Sequence, residues 1–401
     1  MNQLNNEFFT ENRRKLSAKL GDKGVVFIAG NALLQRSGDT NFPFRQESNF
    51  YYLTGVNEPS AFLVMDLAAK TAFLSLPIRQ GIHAIFDGTQ NLQGIKHQSG
   101  IDEILDIADG WKRLSKLNLK KIFSIVPLED ENILANPFPR ICLKTLERDN
   151  VKCEDISKTI ASMRMIKTAN ELGMMSRASA ITYATLNEIE NTLALFESEK
   201  VLEAEITKQF SLRGAAGHAY QPIIASGQNS CTLHYVNNNQ RIKNDSVILL
   251  DVGAEVSNYA ADISRTFTVG NPTSLELDVI NYVNEVQREI IKEIMPGMTF
   301  RELAQSAHHK IATQLVRLGA IDEKYSKKDV SDFFPHGVSH FIGLDVHDVG
   351  DYELPLEENM TITVEPGIYW KEKGVGARIE DDIVITKNGA QIIGYNSISL
   401  L

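Results

Sequence analysis

Two pairs of acidic residues have a spacing that could bring their carboxylates together. Asp251 and Asp262 lie on two strand-like segments within residues 246–269, which are rich in residues typical of buried strands. If this hairpin is centred on Val256 and Ser257, the two aspartates face each other, with Cβ atoms about 5 Å apart on one face of the sheet. The spacing therefore predicts two neighbouring carboxylates at the end of a hairpin.

A second pair repeats this arrangement further along the chain. Glu365 and Glu380 flank a turn, and a hairpin centred on Glu372 and Lys373 makes them cross-strand partners as well. Like charges opposed on one face of a sheet destabilise it, so each pair requires a stabilising partner. A bound cation is the simplest such partner.

Two alternatives to a bound cation remain open for the acidic pairs. Carboxylates on a solvated face repel each other only weakly through water and salt. Alternatively, the acidic residues could form ion pairs with Arg265 and Arg378, which are close in the sequence. The occurrence of two pairs, each in matching register on a strand of buried character, favours the cation.

Histidines provide the second chemical signal. Seven of the nine lie in the second half of the chain, and His336, His340 and His347 crowd into one glycine-punctuated segment. His234 follows a glycine-containing loop and is a further candidate. The other histidines of this half are interpreted as structural or solvent-facing residues: His218, His308 and His309.

Four carboxylates with one or two imidazoles form a hard, oxygen-rich donor set. Such a set suits Mn²⁺, Fe²⁺, Co²⁺ or Zn²⁺ better than a metal that seeks thiolates. So many negative ligands favour two divalent ions over one. Two ions about 3.5 Å apart can share a water, lower its pKa and direct it at a polarised carbonyl. The predicted reaction class is metal-assisted hydrolysis.

The elements that must position these residues fall into two predicted domains, 1–163 and 164–401. Short apolar runs alternate with helical patterns in the first, which predicts a mixed α/β domain. The second opens with a capping-box sequence at Thr168, and similar sequences at Thr273 and Thr299 predict two more helices. Strand pairs lie between and after them, so we expect helices packed on antiparallel sheet, an α+β arrangement.

Composition excludes several other classes of protein. The chain has 401 residues, a net charge of −10 and no apolar run of the roughly 18 residues that a membrane span requires. The acidic balance disfavours nucleic-acid binding as the main role. Three cysteines, an odd number without a close pair, and an N-terminus without a secretory signal predict a soluble, cytoplasmic protein.

Several separated segments resemble those of pita-bread metallopeptidases, and specifically of aminopeptidase P. The segments that carry the resemblance are residues 45–55, 57–59, 233–235, 250–253, 261–267, 336–350, 364–367 and 378–382. The resemblance implies a C-terminal pita-bread catalytic domain. A smaller α/β domain would precede it, similar to the N-terminal domain of creatinase and ribonuclease H-like, with roles in oligomerisation and substrate access.

The resemblance also implies a role for each candidate ligand. The five metal ligands of the family fall on Asp251, Asp262, His340, Glu365 and Glu380. Asp262 and Glu380 would bridge two divalent metal ions, of which Mn²⁺ is the expected one, and a shared hydroxide would be the nucleophile. Glu365 would also carry a proton from the water to the leaving nitrogen.

Further residues of the cleft receive roles in the same way. His234 and His347 would hydrogen-bond the oxyanion with His336 close by, and Arg378 would orient a ligand carboxylate. The implied activity is release of the N-terminal residue from peptides with proline in second position, by a homodimer or homotetramer. An Xaa-Pro dipeptidase, a non-catalytic binding protein of the same fold and creatinase-like hydrolysis without metal remain alternatives.

Overall fold

The computed structural model describes residues 4–127, 135–148, 151 and 153–395. The chain divides into two compact units, of which the first covers Leu4–Met163 and the second begins at Arg164. Within the described residues, no helix is both long enough and apolar enough to span a membrane. The three cysteines are all free thiols.

The first unit contains a mixed sheet flanked by helices. Its helices are α1 (Asn6–Leu20), α2 (Ser48–Thr54), α3 (Ile82–Asp87), α4 (Leu92–Ser99), α5 (Ile107–Leu114), α6 (Pro137–Arg148) and α7 (Ser157–Met165), which spans the boundary. Its strands are β1 (Val25–Ala29), β2 (Gln35–Ser37), β3 (Thr40–Asn41), β4 (Phe62–Asp66), β5 (Thr71–Ser75), β6 (Glu103–Leu105), β7 (Ile122–Ser124) and β8 (Cys153–Asp155).

Six of these strands form one sheet in the order β6-β5-β4-β1-β7-β8. Strand β1 is antiparallel to β4 and parallel to β7, so the sheet is mixed. Every residue of β1 is buried, which explains why this segment reads as a continuous apolar run. Phe27, Phe62 and Trp111 stack on one face with ring centroids 5.2–5.6 Å apart. The predicted α/β architecture is therefore confirmed.

Three helices of the second unit begin where the sequence predicts, namely α8 (Ala169–Thr192), α10 (Ser274–Glu293) and α11 (Phe300–Arg317). The unit also contains α9 (Glu199–Leu212) and α12 (Lys327–Ser331), which were not predicted. Thr168, Thr273 and Thr299 each form a complete capping box with a glutamate three residues later. Each box satisfies two of the backbone N–H groups that a helix start leaves without partners.

The strands of the second unit form antiparallel sheets. They are β9 (Gly217–His218), β10 (Ile223–Ser226), β11 (Ser246–Val252), β12 (Ala254–Val256), β13 (Tyr259–Ala260), β14 (Ile263–Val269), β15 (Thr361–Val364), β16 (Gly367–Trp370), β17 (Val375–Arg378), β18 (Asp381–Thr386) and β19 (Gly389–Ile392). Apolar side chains of α10 and α11 share one core with β15, β17 and β18. This is the predicted α+β arrangement.

The first carboxylate hairpin has a different register from the predicted one. Its turn is formed by Ser257 and Asn258, which both have positive φ angles, of 51° and 64°. Two such residues are typical of a type I′ turn, which matches the twist of the flanking strands. The turn is therefore centred one residue later than predicted, and Asp251 pairs with Ser264 instead of Asp262.

Asp262 lies in a short irregular stretch between β13 and β14. Glycine at 253 allows this stretch to come close, because a Cβ at that position would lie 1.8 Å from the carbonyl oxygen of Ala261. The prediction that Asp251 and Asp262 are direct cross-strand partners is wrong. Their carboxylate oxygens still lie within 4.8 Å of each other, since diagonal neighbours on one sheet face remain within side-chain reach.

The second hairpin has the predicted register. Gly367 pairs with Arg378, and on the other side of the gap Val364 pairs with Asp381. Because the two ladders share one register, Glu365 and Glu380 lie opposite each other in the gap between them. A 3₁₀ turn at Lys371–Lys373 and Gly374, with φ of 66°, close the hairpin. The side chains of both glutamates point to one cluster, where their oxygens lie within 4.8 Å of each other.

Candidate metal centre

Four carboxylates meet where the two hairpins come together. Asp251, Asp262 and Glu380 have oxygens within 4.8 Å of one another, and Glu365 meets Glu380 at the same distance limit. The amide of Glu380 donates to the carbonyl oxygen of Ser264, 3.0 Å away, which fixes one hairpin against the other. Strand geometry thus brings together all four acidic residues that the sequence singles out.

The acidic cluster is poorly solvated, so its negative charge is costly. Asp251, Asp262 and Glu380 are only 8%, 5% and 2% exposed. Burial and the neighbouring carboxylates raise the pKa of Glu380 well above its usual range. The same causes raise the pKa of Glu365 to about 7, although the charges of His340 and Arg378 act against them. The cluster therefore favours bound cations or protons.

Arg378 neutralises part of this charge. Its guanidinium donates to a carboxylate oxygen of Asp251, to Ser264 Oγ at 2.9 Å and to Tyr369 Oη at 2.9 Å. One guanidinium cannot balance four carboxylates. The other arginine that could have paired with the cluster, Arg265, forms its ion pair with Asp381 instead. Arg378 Nε also lies 3.8 Å from Glu380 Oε2, so this single arginine pairs with Asp251 and Glu380, and the remaining negative charge of the cluster favours a bound cation.

His340 brings an imidazole nitrogen to the cluster. Its Nε2 atom lies 3.4 Å from Asp262 Oδ2 and 3.6 Å from Glu365 Oε1. Its Nδ1 atom is 3.0 Å from the carbonyl oxygen of Phe341, which can only accept, so Nδ1 carries a proton and Nε2 faces the carboxylates. Burial opposes the charged imidazole, but Asp262 and Glu365 outweigh it and raise the pKa of His340 to about 9.

His336 differs from His340 in its electrostatic environment. Burial and the charge of Arg378 lower the pKa of His336 to about 4, so the ring is neutral. Nδ1 donates to the carbonyl oxygen of Gly337 at 2.7 Å, and Nε2 accepts from Tyr369 Oη at 2.8 Å. Tyr369 Oη in turn accepts from Arg378, which completes a chain of donors from the cluster to His336.

His234 and His347 are the exposed histidines of the site. Both line a cavity of about 280 Å³ that also contains the candidate ligands. The ring of His347 packs edge-on against His340, with centroids 4.5 Å apart. Partial burial and the charge of His340 lower the pKa of His347. The structure therefore brings all nine residues singled out by the sequence to one cavity: Asp251, Asp262, His234, His336, His340, His347, Glu365, Arg378 and Glu380.

Several residues that support the site were not identified from the sequence. Tyr220 Oη lies 2.6 Å from Asp251 Oδ1 and 2.7 Å from Asp262 Oδ1. Asp382 is fully buried and accepts the backbone amide of Asp262 at 3.1 Å. The run of three acidic residues that includes Asp382 is a signal in the sequence. A lone tyrosine 31 residues before Asp251 gives no such signal.

The donor set fits divalent cations. Its inward-facing atoms are carboxylate oxygens and one imidazole nitrogen, grouped so that at least three ligand atoms lie within 4.8 Å of one another. Hard and borderline divalent ions prefer oxygen and nitrogen ligands of this kind. Among the described residues, His347 also comes within range of Asp262 and His340, so the geometry alone permits it as a ligand.

Comparisons with known proteins agree with this donor set. Residues 173–387 match the model of metallopeptidase family M24, and residues 9–123 match that of the aminopeptidase P N-terminal domain. The Xaa-Pro aminopeptidase of Escherichia coli is 31% identical, over 97% of this chain and 94% of its own length. Human Xaa-Pro aminopeptidase 3 is 30% identical, over 95% of this chain and 80% of its own length.

Solved structures show the same similarity along both units. Aminopeptidase P from E. coli with the inhibitor Pro-Leu superposes with a TM-score of 0.87 at 29% identity, covering 98% of this chain and 95% of the other. Proline aminopeptidase P II from Yersinia pestis gives a TM-score of 0.84 at 29% identity, covering 98% and 96%.

Proposed function

Because the chain belongs to metallopeptidase family M24 and carries the N-terminal domain of aminopeptidase P, we propose that it is an Xaa-Pro aminopeptidase. It is a metallo-exopeptidase that releases the N-terminal residue from peptides with proline in second position. The observation that carries this conclusion is the cluster of four carboxylates and His340 at the base of a cavity of about 280 Å³.

Five residues hold two divalent metal ions in this proposal, with Mn²⁺ as the metal. The residues that would hold the ions are Asp251, Asp262, His340, Glu365 and Glu380, with Asp262 and Glu380 as the ligands that both ions would share. The proximity of their ligand atoms and the raised pKa of Glu380 support the assignment. Two divalent ions bound there would lower the pKa of a shared water towards neutrality and polarise the scissile carbonyl.

Glu365 moves the proton in this proposal. Its carboxylate lies at the edge of the cluster, with Oε1 3.6 Å from His340 and Oε2 3.5 Å from His336 Nδ1. A carboxylate at this position can accept a proton and release it again. Glu365 takes a proton at a carboxylate oxygen and delivers it to the proline nitrogen as that nitrogen leaves.

The histidines stabilise the negative charge that develops on the carbonyl oxygen. His234 and His347 line the cavity and donate N–H groups to this oxygen. His336 stays neutral and lies behind them, hydrogen-bonded to Tyr369. Arg378 orients Asp251 through its guanidinium. The Xaa-Pro bond differs from other peptide bonds because proline has no backbone N–H. In this proposal the cavity binds that bond.

The assembly and location of the enzyme complete the proposal. Helix α3 exposes Ile82, Ile85 and Phe86 to 58%, 78% and 79%. Such an apolar surface is typical of subunit contacts, which supports a homodimer or homotetramer. Three free cysteines support the reducing cytoplasm as the location. The partners are peptides with an Xaa-Pro N-terminus, and the acidic net charge of −10 disfavours nucleic acid.

Hydrolysis of two substrates tests this function. Metal-stripped enzyme is supplied with a Gly-Pro dipeptide or an Arg-Pro-Pro tripeptide, with and without Mn²⁺. We expect Mn²⁺ to restore release of arginine from the tripeptide. Cleavage of the dipeptide alone would identify an Xaa-Pro dipeptidase instead. Cleavage of neither substrate would favour a non-catalytic binding protein of the same fold.

A further inference from the structure

A second cluster of charged residues lies outside the metal centre and is fully buried. Arg164, Lys167 and Asp348 are 1%, 3% and 5% exposed. Lys167 Nζ lies 3.0 Å from Asp348 Oδ2, and the guanidinium of Arg164 forms ion pairs with the other oxygen of Asp348 and, at 2.8 Å, with Asp345 Oδ2. The two cations are located between the segments that match the two family models, 9–123 and 173–387.

Burying these charges is costly. Removing charged groups from water costs several kcal/mol per ion, and replacing a buried ion pair by apolar residues is often neutral or stabilising. The two cations are separated from Asp348 by 181 and 184 residues, so the contact is strictly tertiary. The location of Asp348 suggests what the cluster does.

Asp348 closes the segment that carries two histidines of the site. Its backbone amide donates to the carbonyl oxygen of Phe341 at 2.8 Å. The same carbonyl accepts from Nδ1 of the metal ligand His340 at 3.0 Å. His347 immediately precedes Asp348, and its ring packs on His340. The position of Asp348 therefore determines both the orientation of the His340 ring and the placement of His347.

The two cations are themselves held in place. Lys167 Nζ donates to the carbonyl oxygen of Arg164 at 2.6 Å, and the Lys167 amide donates to the carbonyl oxygen of Asn359 at 2.8 Å. Ile166 forms a bridge with Met360, next to strand β15. The cations thus approach the histidine segment from a fixed backbone.

Gly343 shows how tightly this cluster is packed. A Cβ at this position would lie 2.2 Å from Asp348 Oδ2 and 2.8 Å from Lys167 Nζ. The carbonyl oxygen of Gly343 accepts the amide of Ala260 at 2.8 Å, two residues before Asp262. Glycine at 343 thus lets the segment pass directly over the ion pair.

We propose that Arg164 and Lys167 are positioning residues for His340 and His347, acting through the carboxylate of Asp348 and the carbonyl of Phe341. Neither residue lines the cavity of the site. This inference rests on the proposed function for the role of the two histidines. Two residues at the start of the second unit would thus support the site.

Two variants test the proposal by different routes. Lys167→Met removes one cation and keeps an unbranched side chain, whereas Gly343→Ala displaces the cluster without changing its charge. We expect each variant to lose about 10- to 100-fold in Mn²⁺ affinity and in kcat, as is typical when the partners that orient a metal ligand are removed. KM should change much less. Calorimetric titration of metal-stripped protein and hydrolysis of Arg-Pro-Pro measure these quantities.

A matched control separates positioning from stability. Lys310 bridges Glu289 and Glu293 between α10 and α11 with a side chain that is 16% exposed. Lys310→Met should lower Tm without changing Mn²⁺ affinity or kcat. If Lys167→Met and Gly343→Ala behave like this control, the cluster only stabilises the fold and the proposal is wrong. Should Lys167→Met fail to fold, Gly343→Ala decides alone. An inactive wild-type enzyme would contradict the proposed function, and Mn²⁺ affinity would still test the positioning role.

Discussion

The site has two sides that are built in different ways. On the carboxylate side, Asp251 belongs to β11 and Glu380 lies between β17 and β18, so backbone ladders set the direction of their side chains. On the histidine side, residues 336–348 form no strand, although backbone hydrogen bonds of 2.9–3.2 Å join Val338, His340 and Ile342 to residues 361–365, and Phe341 forms an isolated bridge with Ile362. Beyond these backbone contacts, the segment is held by side chains such as those of Lys167 and Asp348.

The two sides also differ in the charges that they favour. Burial and mutual repulsion raise the pKa values of Asp251 and Glu380, so this side favours a cation. Burial and nearby positive charges lower the pKa values of His336 and His347, so these rings are held neutral. A neutral imidazole keeps one N–H group that can donate to a developing oxyanion. In the proposed function, the carboxylate side binds metal and these histidines bind substrate.

The largest expected effect comes from removing a carboxylate that is proposed to hold both metal ions. Asp262→Ala or Glu380→Ala should abolish activity, because each removes one of the two ligands that the ions would share. Elemental analysis should show metal content falling together with turnover. Glu372→Ala is a suitable control, since this exposed residue lies in the turn of the same hairpin as Glu380. Near-wild-type turnover in either ligand variant would refute the metal assignment.

The contrast between the two sides also accounts for what could be predicted from the sequence. The partnership of Glu365 and Glu380 was predictable because both ladders of that hairpin keep one register. The register of Asp251 and Asp262 was not predictable. It depends on a type I′ turn at Ser257 and on an irregular stretch that can pack closely because residue 253 is glycine.

Contacts between distant segments were beyond prediction for a different reason. Asp348 contacts Lys167, which is 181 residues away in the sequence, and Tyr220 contacts Asp262, which is 42 residues away. No local sequence pattern predicts either contact. The residue types alone predicted one or two imidazole ligands, and only the resemblance to a known family indicated which histidine takes which role. Strand-borne residues could thus be placed from periodicity, whereas loop-borne residues could not.

The next largest effect should come from the histidine side. His347→Ala should lower kcat by about 100- to 1000-fold, the usual cost of losing one oxyanion donor. Metal content should stay unchanged if His347 binds substrate and not metal. Parallel measurements of kcat and metal stoichiometry check this outcome, with His309→Ala on the exposed face of α11 as control. Loss of metal in His347→Ala would make His347 a ligand, which the short distances to Asp262 and His340 allow.

A smaller effect concerns the pH dependence of stability in the metal-stripped protein. The pKa of His340 is raised from 6.5 to about 9, so its contribution is fully present below pH 6.5 and is lost as the pH rises through 9. This contribution is at most about 3 kcal/mol. Glu365, with its pKa raised from 4.5 to about 7, contributes in the same direction at lower pH. His336 does not oppose the trend above pH 6.5, because its pKa is lowered to about 4.

Chemical denaturation at pH 6.5, 8 and 9 measures this dependence. We expect the free energy of unfolding of the metal-stripped protein to fall across this series. A His340→Gln variant should show a flatter profile, because it lacks the titrating imidazole. Saturating Mn²⁺ should remove the decline, since a metal ligand must be unprotonated to bind. A wild-type profile that is flat or rises over this range would contradict the electrostatic description of His340.

The smallest effect is expected for Tyr220→Phe, and it tests the difference between the two sides most directly. The hydroxyl contacts both Asp251 and Asp262, but it carries one proton and can donate to only one of them at a time. Its removal costs one hydrogen bond, about 1 kcal/mol. If strand geometry is sufficient to position the carboxylates, Mn²⁺ affinity should fall less than about 10-fold, as measured by titration calorimetry. A loss as large as that expected for Lys167→Met would mean that side-chain contacts position both sides of the site, and the distinction between strand-built and loop-built halves would fail.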